Sequence, residues 1–140
     1  MFIDLGKMEK FIDKQGVAFI SSVDDEGIPN MKAMLPPRKR EGLKVFYFTT
    51  NTSSLRVSQY RKNPKASVYF YHKGVVRYQG VMLTGAVEIL EDEESKKMIW
   101  KIGDRIYYPK GVTDPDYCVL KFTAHAGRYY RDLKTESFSV

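Results

Sequence analysis

The chain has 140 residues, of which 43% are apolar and 29% charged, and its formal net charge is +6. This length fits one domain, and the hydrophobic content is too high for a disordered chain. The positive charge favours an anionic partner, either nucleic acid or a phosphorylated small molecule, and does not distinguish between them. The sequence therefore predicts a single packed domain over residues 1–140.

Features that the sequence lacks indicate where the protein works. No apolar run approaches the roughly 18 residues of a membrane-spanning helix. Residues 1–10 lack the basic and apolar regions of a signal peptide. We therefore expect a cytoplasmic protein with no membrane partner. The single cysteine, Cys118, lies in an apolar run and is interpreted as a buried, unreactive thiol.

The N-terminal quarter predicts a helix followed by a hairpin. Apolar residues recur at helical spacing, so residues 2–15 are predicted to form an amphipathic helix. Residues 17–23 and 28–35 are rich in β-forming residues and flank a polar turn that ends in Gly27. This pattern is typical of a β-hairpin.

The next segment predicts a strand and a short helix. The basic cluster at 38–40 is interpreted as a solvated turn, and the aromatic run at 45–48 as a strand. Thr52 or Ser53 is the expected N-cap of the helix that follows. That helix should stop before Pro64, because proline disfavours a helical conformation in the residue before it.

The second half predicts long strands around one more helix. Residues 66–71 form a strand, and residues 75–90 form another that Gly80 and Gly85 bend. Residues 91–103 are predicted to be helical. The last strand-like segments are residues 117–122 and 127–133.

These elements amount to about six strands and three helices. Strands linked by hairpins pair antiparallel, and a closed sheet has no exposed edges on which other chains could aggregate. The predicted fold class is therefore mainly β with peripheral helices, a six-stranded antiparallel barrel.

Residues 49–56 are the segment most suited to binding an anion. They join a strand to a helix, and free N–H groups at a helix start favour negative charge. Arg56 lies in the first helical turn, where a cation is unfavourable unless an anion lies beside it. The alternative is that the hydroxyls only cap the helix and Arg56 points into water. Lys32, on the predicted hairpin, either reaches the same place or faces outward.

Other kinds of site have little support in the sequence. His72 and His125 have no cysteine or carboxylate partners at metal-ligand spacing, so no metal site is predicted and both are expected on the surface. Neither a dinucleotide-binding glycine motif nor a P-loop occurs. No side chain is a convincing catalytic acid or base.

The order of motifs from Gly27 to Leu90 resembles the FMN-binding core of the pyridoxamine 5'-phosphate oxidase-like split barrels. The matching pieces are a basic residue followed by apolar residues on a strand, a Thr-rich segment, and a Ser-X-Arg followed by Asn-Pro. The glycine-flanked Gln79 matches a glutamine that often comes from the other subunit, and Tyr129 or Tyr130 stands where a tryptophan is common. The candidate FMN-binding residues are Lys32, Ala33, Met34, Leu35, Thr49, Thr50, Asn51, Ser53, Ser54, Leu55, Arg56, Gln79 and Tyr129.

The resemblance implies a split β-barrel of FMN-binding type and a homodimer with flavin at its interface. It further implies an oxidoreductase that passes electrons from a reduced nicotinamide through FMN to a small-molecule acceptor. The sequence lacks the Arg/His-rich C-terminal element of true pyridoxamine 5'-phosphate oxidases, and Lys32 stands where arginine is commoner. The shorter relatives, similar to general stress proteins and nitroimidazole reductases, are therefore favoured over an enzyme of vitamin B6 oxidation.

Two other classes of function remain open. The first is a flavin-binding or sensor protein without turnover, and haem or a deazaflavin could replace FMN in the same cleft. The second is a nucleic-acid-binding barrel that stacks bases on Tyr69, Tyr71 and Tyr78. No nucleic-acid partner is expected from the sequence motifs.

Overall fold

The computed structural model describes residues 3–140 and is mainly β. The helices are α1 (Leu5–Asp13), α2 (Leu55–Lys62), α3 (Glu93–Ile99) and a 3-10 helix (Ile102–Ile106). The strands are β1 (Ala18–Val23), β2 (Pro29–Met34), β3 (Lys39–Glu41), β4 (Val45–Asn51), β5 (Lys65–His72), β6 (Gln79–Leu90), β7 (Tyr117–Arg131) and β8 (Lys134–Ser139). The predicted fold class is confirmed.

All the strand pairs are antiparallel, and they form one sheet in the order β2-β1-β5-β6-β7-β4-β3. β8 lies beside β7 outside this path. One side of β7 pairs with β6 along almost its whole length, while the other side pairs first with β4 and then with β8. β7 therefore has strand partners on both of its sides and joins β4 and β8 to the rest of the sheet.

The described strands number eight, where the sequence predicts about six. β3 and β8 are the additions, since residues 38–40 were interpreted as a turn and no element was expected after residue 133. The two predicted C-terminal segments are one continuous strand, β7. The small residues around Gly127 do not interrupt β7. They leave room for β8, because a Cβ on Gly127 would lie 2.5 Å from the Phe138 ring.

The basic cluster Arg38-Lys39-Arg40 is not a solvated turn, and that interpretation is wrong. Arg38 forms two hydrogen bonds to Asp104, with N···O distances of 2.7 and 2.9 Å. Arg40 pairs with Glu9 and Asp13 of α1 at 2.6 and 2.7 Å. These ion pairs join β3 to α1 and to the 3-10 helix.

The N-terminal helix and the hairpin form where the sequence predicts them. The Asp4 side chain caps α1 by accepting the Lys7 N–H at 2.8 Å. Residue 2, which the prediction included in the helix, lies outside the described residues. The hairpin turn is held by Asp24, whose carboxylate accepts two backbone N–H groups, and by Gly27, whose φ is +79°.

The bend predicted in the long sixth strand is present at Gly85. The register between β6 and β7 shifts there, because Thr84 pairs with Ala126 while Gly85 pairs with Ala124. His125 is therefore the extra residue of a β-bulge, which increases local twist and helps a sheet to curl. The predicted strand begins at Gln79 rather than at residue 75.

The main apolar core packs one face of the sheet against α1. Phe46, Phe70 and Phe122 are fully buried at its centre, and Met8 and Ile12 of α1 close it. A second, smaller cluster packs α3 against the other face of β4 and β7. Cys118 is fully buried, as predicted, and burial raises the pKa of its thiol. Within residues 3–140, no helix is long and apolar enough to span a membrane.

Candidate functional site

The start of α2 differs in detail from the predicted capping. Ser54, not Thr52 or Ser53, is the N-cap, and its hydroxyl accepts the Val57 N–H at 3.4 Å. The N–H groups of Thr52 and Ser53 are already bonded to Asp116, one to its carbonyl at 2.7 Å and the other to its carboxylate at 2.9 Å. These two amides are therefore not free to bind an anion.

Arg56 does not point into water. Its Nη2 donates to the buried Thr50 hydroxyl at 3.0 Å. Its Nε is buried and has no hydrogen-bond partner among the described residues. No carboxylate of residues 3–140 forms an ion pair with it. A cation that is unpaired and opposes the helix dipole is suited to an anion supplied from outside.

Arg56 has a buried tyrosine of the same helix as a neighbour. Tyr60, one helical turn on, is buried and donates its hydroxyl to the Ser21 carbonyl at 2.7 Å. Burial raises the pKa of Tyr60, a rise that the nearby Arg56 charge opposes. The Arg56 guanidinium is thus close to a buried, neutral phenol, and a charge in such surroundings interacts more strongly with a counter-charge than it does in water.

Lys32 lies on the side of the hairpin that faces α2. In the register of β1 and β2 it pairs with buried Ile20, and cross-strand partners share a face. On the same face, Ser22 donates to Gln59 of α2. Lys32 is exposed and forms no ion pair within residues 3–140. Its charge is therefore available on the side that carries Arg56.

The other predicted residues of β2 alternate along the strand. Met34 is buried, and Ala33 and Leu35 are exposed. β2 is an edge strand, so one side of its backbone has no strand partner. With exposed Met31 and Leu35, which are 69% and 49% accessible, this edge offers apolar surface beside unpaired backbone groups.

The predicted residues of the Thr-rich segment lie next to Arg56 in varied settings. Asn51 donates from its amide to the Ser53 hydroxyl at 2.9 Å. Thr49 is half-buried on β4, and Leu55 is 78% exposed at the helix start. Of these hydroxyls, that of Thr50 accepts a hydrogen bond from Arg56, and that of Ser54 caps the helix on which Arg56 lies.

Gln79 and Tyr129 do not join this group within one chain. They lie at the far end of β7, where Gln79 pairs with Arg131, whereas Asn51 pairs with Tyr117 at its beginning. The 15 residues of β7 measure about 45 Å along the strand. The Tyr129 hydroxyl donates to Gln79 Oε1 at 3.1 Å, so these two residues form a pair of their own.

Three tyrosines and two histidines are the other residues that the sequence pattern raises as candidates. Tyr71 stacks beside Tyr69 and next to Tyr78, with ring centroids 6.2 Å apart in both pairs. Base stacking on them stays an untested alternative. His72 and His125 are exposed, as expected. Among residues 3–140, no three histidine, cysteine, aspartate or glutamate side chains converge on a metal-sized site.

Asp116 is the residue at the site that sequence reasoning missed. Its backbone and side chain both hold the loop before α2. It is 63 residues from Ser53, so no local pattern connects the two. Its role follows only from the pairing of β4 with β7.

The fold and the arrangement around Arg56 define the class of protein. Residues 5–131 match the family model described as pyridoxamine 5'-phosphate oxidase. The chain therefore belongs to the pyridoxamine 5'-phosphate oxidase family.

One curated relative is the pyridoxine/pyridoxamine 5'-phosphate oxidase of Legionella pneumophila (strain Lens). It is 33% identical over 76 residues, which are 54% of this chain and 34% of that protein. The match thus spans about a third of the relative's length.

Among solved structures, the chain is similar to a Clostridium acetobutylicum protein related to general stress protein 26 of B. subtilis (pyridoxinephosphate oxidase family). The identity is 40%, the TM-score is 0.87, and the match covers 99% of this chain and 97% of that one. This supports the predicted likeness to the short members of the family. A heme binding protein from Mycobacterium smegmatis shares the fold, with 14% identity, a TM-score of 0.76, and coverage of 98% and 58%.

Proposed function

We propose that this protein binds FMN, with the phosphate at Arg56, and acts as an oxidoreductase that passes electrons from a reduced nicotinamide to a small acceptor. The observation that carries the proposal is the buried Arg56 Nε without a partner among the described residues. A buried donor left unsatisfied costs about 1–3 kcal/mol, and more when it is charged. A phosphate would supply both an acceptor and the opposite charge, and the family supports FMN as its source.

The residues around Arg56 have distinct parts in this proposal. Arg56 and the Ser54 hydroxyl would bind the phosphate, with Thr50 holding the guanidinium in place. Lys32 would add a second positive charge from β2. The unpaired backbone edge near Met34 would contact the ring. Bound FMN would supply the redox chemistry, and the protein would orient it and exclude water.

The proposed site needs two chains if Gln79 and Tyr129 also contact the flavin. They lie at the opposite end of β7 from the Arg56 site, that is, Thr50, Ser54 and Arg56, so one flavin could meet both groups only through a second copy of the chain. The exposed apolar side chains of β2 support such an interface. We therefore propose a homodimer with flavin between its subunits.

Flavin titrations test the role of Arg56. The protein is titrated with FMN and with riboflavin, which lacks the phosphate, while flavin fluorescence is followed. Because a hydrogen bond to a charged group contributes about 1.5–3 kcal/mol, we expect Arg56→Leu to weaken FMN binding about 10- to 100-fold. Riboflavin affinity should hardly change.

Arg61→Leu is the matched control for this titration. Arg61 lies on the same helix, is half-exposed, and pairs with Glu91 at 3.4 Å. Its loss should leave FMN affinity nearly unchanged. If Arg56→Leu and Arg61→Leu have the same effect on FMN, or if the wild-type protein binds riboflavin as tightly as FMN, the phosphate does not lie at Arg56.

Turnover requires a separate measurement. The FMN-loaded protein is mixed without oxygen with NADH or NADPH, and the visible flavin absorbance is followed. We expect bleaching with at least one of the two, and return of the colour when a quinone is added. If neither nucleotide bleaches the flavin, the protein binds flavin without this activity.

A further inference from the structure

A second cleft lies far from Arg56, between α1 and the ends of β5, β6 and β7. Its volume is about 460 Å³, within the range of small-molecule sites. Four cationic side chains line it, namely Lys7, Lys10, Lys14 and Arg131. Thr50, Ser54 and Arg56 are not among its lining residues.

The charge of this cleft arises from the way α1 divides its faces. Met8 and Ile12 face the core, while Glu9 and Asp13 are bonded to Arg40. The three lysines recur at spacings of three and four residues, which places them together on the remaining face. Glu9 and Asp13 are thus paired with Arg40 of β3, and they do not pair with the lysines of α1.

A lysine-rich helix face is usually only solvated. The structure argues against that explanation for the lysines of α1. Lys10 and Lys14 are favourable near the helix C-terminus, but Lys7 lies in the first turn, where a cation opposes the helix dipole. Arg131 joins them from another element. Its neighbour Asp132 is bonded to Arg77 at 3.1 Å. None of the four cations forms an ion pair within residues 3–140.

The rest of the lining suits an aromatic ligand. Phe11 and Ile3 are half-buried and form an apolar wall. Gln79 accepts the Tyr129 hydroxyl at its Oε1, which leaves its amide N–H groups to donate. Burial raises the pKa of Tyr129, a rise that the Arg131 charge opposes, and the phenol therefore remains a donor at neutral pH. The cleft thus combines a flat apolar side, one oriented amide and several positive charges.

We propose that this cleft is a second ligand site, which binds a heteroaromatic molecule carrying a multiply charged phosphate group, that is, a nucleotide-type ligand. The ring would lie against Phe11 near the Gln79 amide, and the phosphates would lie among the lysines and Arg131. In the dimer proposed above, the cleft would open beside the flavin through Gln79 and Tyr129, and its ligand would be the electron donor or acceptor. Only that role rests on the proposed function, because the three lysines, Arg131 and Phe11 have no part in the flavin proposal.

Calorimetric titration with ADP, and with adenosine as the uncharged comparison, tests the site. We expect ADP to bind the wild-type protein, adenosine to bind much more weakly, and added salt to weaken ADP binding. The double variant Lys10→Gln/Lys14→Gln should weaken ADP binding about tenfold or more. The control Lys65→Gln/Lys97→Gln removes the same charge from exposed positions outside the cleft and should change it less than about twofold.

Three results would overturn the proposal. They are no ADP binding by the wild-type protein, equal losses in the two double variants, and loss of ADP binding in Arg56→Leu but not in Lys10→Gln/Lys14→Gln. The last result would mean that ADP binds at Arg56. A protein that fails to bind FMN but binds ADP through the cleft lysines would refute the flavin proposal and retain this one.

Discussion

Replacing Arg38 with methionine is expected to lower the free energy of unfolding by about 3 kcal/mol, because it leaves a buried carboxylate without its counter-charge. The Arg38 and Asp104 side chains are only 10% and 6% exposed. Arg38 also donates to the Ile99 carbonyl at 3.2 Å, so it joins the residue just before β3 to the end of α3. Urea unfolding at pH 7, followed by circular dichroism, measures the loss.

The exposed pair Lys97–Glu93 provides the control for this effect. Its atoms approach to 2.8 Å, but the side chains are 60% and 68% exposed, so Lys97→Met should cost less than about 1 kcal/mol. The double variant Arg38→Met/Asp104→Leu should recover much of the stability, since no buried charge is left. An Arg38→Met protein as stable as Lys97→Met would show that the buried pair contributes nothing.

The same pair should make stability depend on pH. Burial opposes ionisation of Asp104, but hydrogen bonds from Arg38 and the Lys101 N–H outweigh it and lower the pKa of Asp104. A lowered pKa in the folded state stabilises the protein above the unfolded pKa, about 3.9, and this stabilisation is lost as the pH falls through the folded pKa. Wild-type stability should therefore fall more steeply below about pH 4 than that of Arg38→Met/Asp104→Leu.

Sequence reasoning succeeded where the physical cause is local. The β1–β2 hairpin follows from the Asp24–Gly27 turn, α2 ends before Pro64, and Arg56 follows a Thr-rich segment within eight residues of Thr49. Turn chemistry, proline and short motifs act over a few positions and can be read directly. The resemblance to the family likewise depends on short motifs.

The errors come from interactions between distant positions. Arg38 and Asp104 are 66 residues apart, and Arg40 meets α1 only because β3 folds back beside it. No local pattern distinguishes these arginines from a solvated basic turn. β8 likewise gains its stability from pairing with β7, since its own sequence has few strand-forming residues.

The candidate site residues also differ in whether local sequence or tertiary structure brings them together. Thr50, Ser54 and Arg56 lie on one short segment of the chain, so this group could be predicted from the sequence. The lysine spacing on α1 is also visible there, but a stripe of charge on a helix is usually solvated. Only the tertiary structure adds Arg131 and Gln79 to it and encloses a cleft.

Substituting Gly85 with alanine is expected to destabilise the barrel by about 3 kcal/mol, or to lower Tm by about 10 °C. A Cβ there would lie 1.9 Å from the Thr123 carbonyl oxygen and 2.9 Å from the Ala124 Cα. Both are backbone atoms of β7, which β4, β6 and β8 hold in place. No side chain can rotate to relieve the contact, so the bulge at His125 must distort. Thermal unfolding followed by circular dichroism measures the shift.

Gly16→Ala separates this steric effect from the general effect of adding a methyl group. No atom lies within 4 Å of a Cβ at Gly16, so the variant should match the wild-type protein or be slightly more stable, because alanine restricts the unfolded chain. The bulge would not constrain the sheet if Gly85→Ala had the Tm of Gly16→Ala. A large difference between the two Tm values would show that β6 can curl against β7 only when residue 85 has no side chain. It would also identify as structural a glycine that the sequence alone marks only as a bend.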